Sequence, residues 1–269
     1  MTAAVRVASG PDVVKGAIRA SRRRQRIRLL TRVLILVSFL GIWEIVGRST
    51  SRLFLVPFSE SLLATFDPDL LRAWGTSLQA FVIGYGLACI LGVAVGLLMG
   101  RFRLAEWSLN PYLTILLTAP MVALIPVFII IFGFTLAARA AIVFSFSFVY
   151  VAINAFAGSK AVPRELVEMS DSFGLTEWQR FRWIVVRSAA PLIMTGLRLG
   201  FGRATIGMLL SEMLLLAVGI GGRLIESSNR FDMAGVLGIV LMLLAFSWIG
   251  GSAIEAADHR INRWQRRRR

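Results

Sequence analysis

The sequence predicts an all-α integral membrane protein, with six transmembrane helices and a polar helical hairpin between the fourth and the fifth. Three observations predict this fold class. The 269 residues are 57% apolar, apolar runs recur along the chain, and one long polar segment interrupts them. A helix needs ~20 apolar residues to cross a bilayer. Six segments satisfy this requirement: 29–47, 78–100, 109–134, 140–158, 192–218 and 233–254.

The charges predict three parts and an orientation. A basic segment, 1–28, precedes a six-helix domain, 29–257, which contains the polar loop 159–191, and a basic tail, 258–269, follows. Of the 30 Lys and Arg residues, 22 fall on one side of the predicted bundle and 6 on the other, while Arg198 and Arg203 lie within the fifth span. Positive residues collect in cytoplasmic segments. Both termini and the hairpin are therefore predicted to be cytoplasmic.

Composition argues against several other classes of protein. Cys89 lies in an apolar run and His259 lies in the basic tail, so neither a disulfide framework nor a metal site is predicted. The net charge of +15 is concentrated at the two ends, where membrane topology and anionic headgroups explain it better than nucleic acid does. The only lysines, Lys15 and Lys160, stand in no phosphate-binding G-x-x-x-x-G-K-[ST] loop. We therefore expect no ATP hydrolysis by this chain.

The segments around the second span show turn and packing signals. Between the first two spans, Ser59 is a candidate cap for a short surface helix, and Asp67-Pro68 is a candidate break. The second span carries glycines at close spacing, which favour a close approach of helix backbones. These glycines are Gly84, Gly86, Gly92, Gly96 and Gly100.

The third span is predicted to be broken. Its 26 residues would extend about 39 Å as one helix, which exceeds the ~30 Å hydrocarbon core. Pro120 and Pro126 should kink or interrupt it. Broken helices in membranes are tolerated where they line a cavity or are covered by protein. This span is therefore a candidate for a solute path, or else a tilted packing helix.

Polar residues in the fourth and fifth spans are further candidates for that path. Ser147, Tyr150 and Asn154 share one face of the fourth span and could line a pore or form hydrogen bonds between helices. Arg203 and Glu212 lie within the apolar fifth span, where charges usually face protein or water. Arg203 could meet an anionic solute, or could pair with an acid such as Glu212 or Glu44. The loop after the fifth span, 219–232, is a candidate landing site for an external protein.

The polar hairpin has clear helix signals. Pro163 favours a helix start and Gly174 favours its end, with the first helix running to about Ser172. Thr176 and Gln179 form a capping-box signature for a second helix, predicted to end at Pro191. Apolar residues at helical spacing give each helix one apolar face, suited to docking or to lying on the bilayer. They are Leu166, Met169, Phe173, Trp178, Phe181 and Val185.

The hairpin resembles a known family. The spacing of Glu168, Gly174, Ile184 and Pro191 is similar to the "EAA" loop of bacterial binding-protein-dependent ABC importer permeases, although Met169 and Ser170 stand where that family usually has two alanines. The resemblance extends over about 200 residues and is closest to the nitrate, sulfonate and taurine branch. Its other matching segments are 57–60, 119–126, 196–198, Arg203 and 212–214.

The resemblance implies a function and partners. The chain would be the permease subunit of an ATP-driven importer in the bacterial inner membrane, without catalytic residues or a cofactor of its own. A separate ATPase pair would bind ATP and Mg, a second permease copy would complete the path, and an extracytoplasmic binding protein would deliver nitrate, a sulfonate or taurine. The residues implied to couple to the ATPase are Glu168, Met169, Ser170, Phe173, Gly174, Leu175 and Trp178.

Two other functions remain as alternatives at this stage. Glu212 and Glu44 could serve a self-sufficient ion-coupled carrier, in which this chain alone would transport solute under a proton gradient. A membrane-embedded enzyme is the weaker alternative, because the sequence shows no clustered nucleophile and base and no metal constellation.

Overall fold

The computed structural model describes residues 11–214 and 218–262, and all regular structure in those ranges is helical. The first ten residues, residues 215–217 at the predicted end of the fifth span, and the basic tail beyond residue 262 lie outside them. The helices are α1 (Pro11–Ser49), α2 (Phe58–Ala64), α3 (Pro68–Arg101), α4 (Arg103–Thr118), α5 (Ile125–Phe132), α6 (Leu136–Lys160), α7 (Arg164–Ser172), α8 (Glu177–Arg180), α9 (Val186–Leu214), α10 (Gly219–Asn229) and α11 (Met233–Ile261).

Five helices in the described ranges are long and apolar enough to cross a membrane, and a bent pair of helices would make a sixth span. The predicted all-α membrane fold is therefore confirmed. The five are Leu30–Ser49, Pro68–Arg101, Leu136–Lys160, Glu177–Leu214 and Met233–Ile261. The bent pair, Arg103–Thr118 and Met121–Phe132, turns through 102°.

The segment up to Glu60 forms a separate compact unit. After α1 the chain folds back, so that the Trp43 indole donates to the Val56 carbonyl at 3.1 Å. The prediction that Ser59 caps the short helix is wrong, because α2 already begins at Phe58. The Ser59 amide and hydroxyl instead donate to the Glu44 carboxylate at 3.0 and 2.9 Å.

The second unit, Ser61–Arg269, is centred on a glycine seam, which we define as the contact of α3 and α9 with α6. A Cβ atom added to Gly96 would come within 2.4 Å of the Ala152 carbonyl oxygen, and one added to Gly196 within 2.6 Å of the Asn154 Cβ. Gly84, Gly92 and Gly100 also lie against α6, as the spacing predicts, but nothing approaches Gly86 within 4 Å. The seam holds three helix backbones close together.

Two of the spans begin earlier than the apolar pattern predicts. The predicted break at Asp67-Pro68 separates α2 from α3, because Asp67 caps α3 by accepting from the Asp69 amide at 2.8 Å and Pro68 occupies the first turn. Thr135 caps α6 by accepting from the Ala138 amide, so α6 includes Arg139 in its first turn. Polar first turns lengthen these helices because proline and capping residues favour a helix start.

The third span is broken at only one of its two prolines. α4 ends at Thr118, and Ala119 and Pro120 have extended or intermediate backbone angles before a short 3-10 turn, Met121–Leu124. Pro126 lies in the first turn of α5, where its missing N–H has no helical partner to lose. Pro126 therefore starts a helix, and Pro120 is the interruption.

The predicted helix end at Pro191 is wrong. A π turn, Phe181–Val185, follows α8 and leads directly into α9, which continues through Pro191 to Leu214. Proline removes one donor from a helix without necessarily ending it. The second helix of the hairpin and the fifth span therefore form one continuous helical segment, Glu177–Leu214.

Candidate functional site

The tip of the hairpin is a tight turn built around Gly174. After α7, the Gly174 amide donates to the Asp171 carbonyl and the Leu175 amide to the Ser170 carbonyl, both at 3.0 Å. This pair of bonds closes the helix end and requires a left-handed residue, which Gly174 supplies with φ of 65°. Gly174 therefore fixes the direction in which the second arm leaves the first.

The second arm begins with the capping box expected from the sequence. The Gln179 amide donates to the Thr176 hydroxyl at 3.3 Å, and the Thr176 amide donates to the Gln179 side-chain oxygen at 2.8 Å. These two bonds satisfy amides that a helix start leaves unpaired. The turn and the cap together define the hairpin tip, residues 173–178.

Large apolar side chains of the tip are exposed to solvent. Phe173 is 75% exposed and Trp178 is 65% exposed, while the Trp178 ring stacks on Phe181 at 5.9 Å. Met169 and Glu168 are also exposed, Leu175 is half-buried, and Ser170 is fully buried with its hydroxyl on the Val167 carbonyl. The structure thus places five of the seven predicted coupling residues at the surface of the hairpin: Glu168, Met169, Phe173, Gly174 and Trp178.

A cavity of about 300 Å³ lies where the broken third span meets α6 and α9. Arg203 supplies its charge, and the Arg203 guanidinium lies over the Tyr150 ring at 4.7 Å from the centroid. Ala119 and Met121, the neighbours of Pro120, contribute to its wall. The remaining lining residues are apolar: Leu116, Leu117, Val122, Phe146, Ile206 and Leu210. A single cation in an otherwise apolar wall is suited to a small anion.

The other polar candidates of the fourth span do not line this cavity. Ser147 is fully buried, and its hydroxyl donates to the Val143 carbonyl at 2.9 Å. The Asn154 side chain donates to the Tyr150 carbonyl at 2.8 Å and lies against Gly196 of α9. The structure therefore brings Tyr150 and Arg203 together, and it places Ser147 and Asn154 in the glycine seam.

Glu212 lies in a buried network away from Arg203. The Glu212 carboxylate is 0% exposed and accepts from the Ser77 hydroxyl at 2.7 Å and from the Gly221 amide at 3.1 Å. Arg139 lies 3.6 Å from its other oxygen. We call Glu212, Arg139, Ser77 and the start of α10 the carboxylate cluster. It joins four helices, and its oxygens accept hydrogen bonds from backbone amides in the first turn of α10, which a helix start leaves unpaired.

The sequence pattern did not identify Arg139 as the partner of Glu212. Arg139 falls just before the predicted fourth span, whereas the structure buries it in the first turn of α6. Thr135, a capping residue directly before an apolar run, is the sequence signal that could have placed Arg139 within the helix. Gly219 has φ of 68° and packs directly against the Glu212 carboxylate. A Cβ atom added to Gly219 would lie 2.5 Å from the carboxylate oxygens.

The remaining charged candidates have local partners. Arg198 pairs with Glu255 of α11 at 3.1 Å, and Glu44 accepts from Arg48 of its own helix at 2.9 Å as well as from Ser59. In residues 11–214 and 218–262, no group of three or more His, Cys, Asp or Glu is arranged to hold a metal ion. Arg198 and Glu255 line a separate cavity together, so Arg203 is the charged candidate that faces a cavity without a described ion pair.

Comparison with known proteins matches the chain to membrane components of transport systems. A family model described as "Binding-protein-dependent transport system inner membrane component" matches residues 88–267. The formylaminopyrimidine transport permease protein ThiX of Halalkalibacterium halodurans is 27% identical over 91% of this chain and 99% of its own length. The putative aliphatic sulfonates transport permease protein SsuC of Bacillus subtilis is 23% identical over 95% of each chain. The taurine transport system permease protein TauC of Escherichia coli is 27% identical, over 85% and 87%.

Proposed function

The chain belongs to the family of binding-protein-dependent transport system inner membrane components, and from that premise we propose how it works as the permease subunit of an ABC importer. The hairpin tip docks into a partner ATPase, which binds ATP and Mg and performs the hydrolysis. The observation that carries this proposal is the exposure of Phe173 and Trp178 on either side of the Gly174 turn. Exposed aromatic residues at a rigid tip are typical anchors of protein interfaces.

We propose that the cavity beside Arg203 is part of the solute path and that it takes a small organic anion. The Arg203 guanidinium would bind the anionic group, and the apolar wall would contact the carbon part of the solute. Nitrate, a sulfonate and taurine are the candidate solutes, and the apolar lining favours the two organic ones because their carbon parts can contact the wall, whereas nitrate has no apolar part. The named solutes of the relatives include sulfonates and taurine but also a formylaminopyrimidine.

A second copy of the chain would complete this path. Arg203 lies on an exposed face of α9 together with Leu199, which is 50% exposed, and Ile206, which is 46% exposed. Closed two-fold pairs are the commonest assemblies of identical chains. A symmetric partner on this face would enclose the cavity and place two Arg203 residues near one axis.

The proposed orientation places the hairpin and both termini in the bacterial cytoplasm, because the Lys and Arg excess lies on that side. The opposite face contains α10, which would receive the solute-binding protein. There Arg223 pairs with Asp69 at 3.0 Å and with Glu226 at 2.8 Å. The hydrogen bond from Arg223 lowers the pKa of Glu226, so the Glu226 carboxylate keeps its charge at moderately acidic pH.

Reconstitution into liposomes tests the proposed function. We expect this chain with its ATPase partner, the binding protein and ATP to import solute, and we expect no import by this chain alone under a proton gradient. Import by the chain alone would contradict the proposal and support the ion-coupled carrier. The fully buried and hydrogen-bonded state of Glu212 gives that carrier no water-facing acid at this position.

The Gly174 turn yields a prediction about coupling. Gly174→Val should lower import strongly while ATP hydrolysis continues, because a β-branched residue at positive φ costs about 1–3 kcal/mol and the tip would change direction. Nothing lies within 4 Å of an added Cβ there, so a steric clash is not the cause. The measurement is solute imported per ATP hydrolysed in proteoliposomes.

Gly174→Asn is the matched control, because Asn tolerates the left-handed conformation. We expect it to import nearly as well as the unsubstituted protein. If both variants import a normal amount of solute per ATP hydrolysed, the direction of the hairpin tip has no effect on coupling and the prediction is contradicted.

A further inference from the structure

A line of charged side chains connects the hairpin to the start of the broken third span. Arg180, at the end of α8, pairs with Asp171 of α7 and with Glu177 at 3.2 Å. Glu177 in turn lies 3.6 Å from Arg101, the last residue of α3. We call Asp171, Arg180, Glu177 and Arg101 the hairpin tether. It links both arms of the hairpin to a residue of the transmembrane bundle.

Arg101 is held on several sides at once. Its guanidinium donates to the Glu177 backbone carbonyl at 3.2 Å, and it lies 5.4 Å from the centroids of both the Phe102 and the Phe181 rings. The Arg101 side chain is only 25% exposed. A planar cation between two rings, with a fixed hydrogen bond, has little freedom to move independently of its neighbours.

The residue after Arg101 interrupts the helical backbone. Phe102 has extended backbone angles, φ −111° and ψ 116°, and it separates α3 from α4 by a single residue. The first turn of α4 is also joined to the end of α6, because Lys160 pairs with Glu106 at 2.5 Å. α4 therefore begins between two attachments: one joins Arg101 to the hairpin, and the other joins Glu106 to the end of α6.

The far end of α4 reaches the cavity beside Arg203. Leu116 and Leu117, in its last turn, and Ala119, directly after it, contribute to the cavity wall. A rotation of α4 about Phe102 would move this wall, because a helix of 16 residues transmits an angular change at one end as a displacement at the other. Packed side chains, ion pairs and rigid helices of this kind can carry energetic coupling between two sites.

We propose that Arg101 is the positioning residue through which hairpin movement reaches α4 and so changes the cavity. The inference rests on the proposed function, in which an ATPase moves the hairpin. The tether acts on the broken span directly, in addition to the continuous helix that leads from α8 into α9. Arg101 binds neither solute nor nucleotide in this account.

The test compares Arg101→Ala with Arg103→Ala in the complete complex with ATPase and binding protein. Arg103 lies two residues further along, and its guanidinium stacks on Trp107 of its own helix. For Arg101→Ala we expect the ATP hydrolysed per solute imported to rise about five-fold or more, a typical coupling factor. For Arg103→Ala we expect no change in that ratio.

A second readout follows the cavity wall itself. In the double variant Leu117→Cys with Cys89→Ala, the rate at which the introduced thiol is alkylated should change when ATP is added to the complex. Arg101→Ala should remove this change, which a purely structural role would not do once the complex is assembled. Glu177→Ala is a second tether variant that should fold normally, because the Glu177 side chain is 69% exposed. It should also reduce the effect of ATP on the alkylation rate.

The outcomes separate the two proposals. An unchanged ATP-to-solute ratio and an unchanged ATP response in Arg101→Ala, with normal import by the unsubstituted complex, would overturn the role of Arg101 alone. Failure of the unsubstituted complex to import with ATP would overturn the proposed function and the tether with it.

Discussion

Arg203→Ala is expected to reduce import about a hundred-fold while the complex with the ATPase still assembles. Arg203 is the cation of the cavity, and a charge-assisted hydrogen bond to an anion contributes about 3 kcal/mol, which corresponds to about a hundred-fold. Its guanidinium contacts the Tyr150 ring and makes no described ion pair, so its removal leaves no unpaired buried acid. The measurement is uptake of a labelled sulfonate in proteoliposomes, with co-purification of the ATPase as the readout of assembly.

Arg198→Ala is the matched control for this prediction, because it removes an arginine from the same helix. Arg198 pairs with Glu255 at a half-exposed position, and such pairs contribute about 1 kcal/mol or less. We expect import within about five-fold of normal. Loss of assembly in Arg203→Ala would assign Arg203 a structural role, and normal import would remove it from the solute path.

Glu212→Ala is expected to prevent recovery of a stable protein. The substitution leaves Arg139, which is 9% exposed, as an uncompensated buried charge, and breaking a buried ion pair costs about 3–5 kcal/mol. It also removes the acceptor of the Ser77 hydroxyl and the Gly221 amide. The measurement is the yield and the thermal unfolding temperature of the purified protein in detergent.

Two variants refine the interpretation of Glu212. Glu212→Gln retains an acceptor but not the charge, and should be intermediate in stability. Glu226→Ala removes a carboxylate from exposed pairs on α10 and should cost about 1 kcal/mol or less. A fully stable Glu212→Ala protein that fails to import would contradict the structural role and favour Glu212 as a group in the transport cycle.

Local sequence signals predicted the hairpin well. The left-handed Gly174 and the Thr176–Gln179 box depend only on neighbouring residues, so a short window of sequence is sufficient to identify them. Pro191 misled the prediction because a proline ends a helix only when the surrounding structure does not compensate for the lost donor. The π turn before it and the continuation of α9 depend on tertiary packing.

The candidate site was only partly predictable for a related reason. Tyr150, Ser147 and Asn154 share a face in sequence, yet only Tyr150 reaches the cavity, because Gly196 and Gly200 of α9 pack against the others. Helical periodicity predicts which residues point in the same direction, and it does not predict which neighbouring helix covers them. Likewise Glu212 and Arg139 lie 73 residues apart in the chain, so no local pattern pairs them.

The glycine seam has a consequence for sequence variation. At Gly96 a single methyl group would overlap the Ala152 carbonyl oxygen, whereas at Gly86, on the same helix, the space around an added methyl is open. Two identical letters ten residues apart are therefore subject to very different constraints. Functional divergence in solute choice should accumulate at cavity residues such as Leu117 and Ile206, because changes there leave the spacing of the three central helices intact.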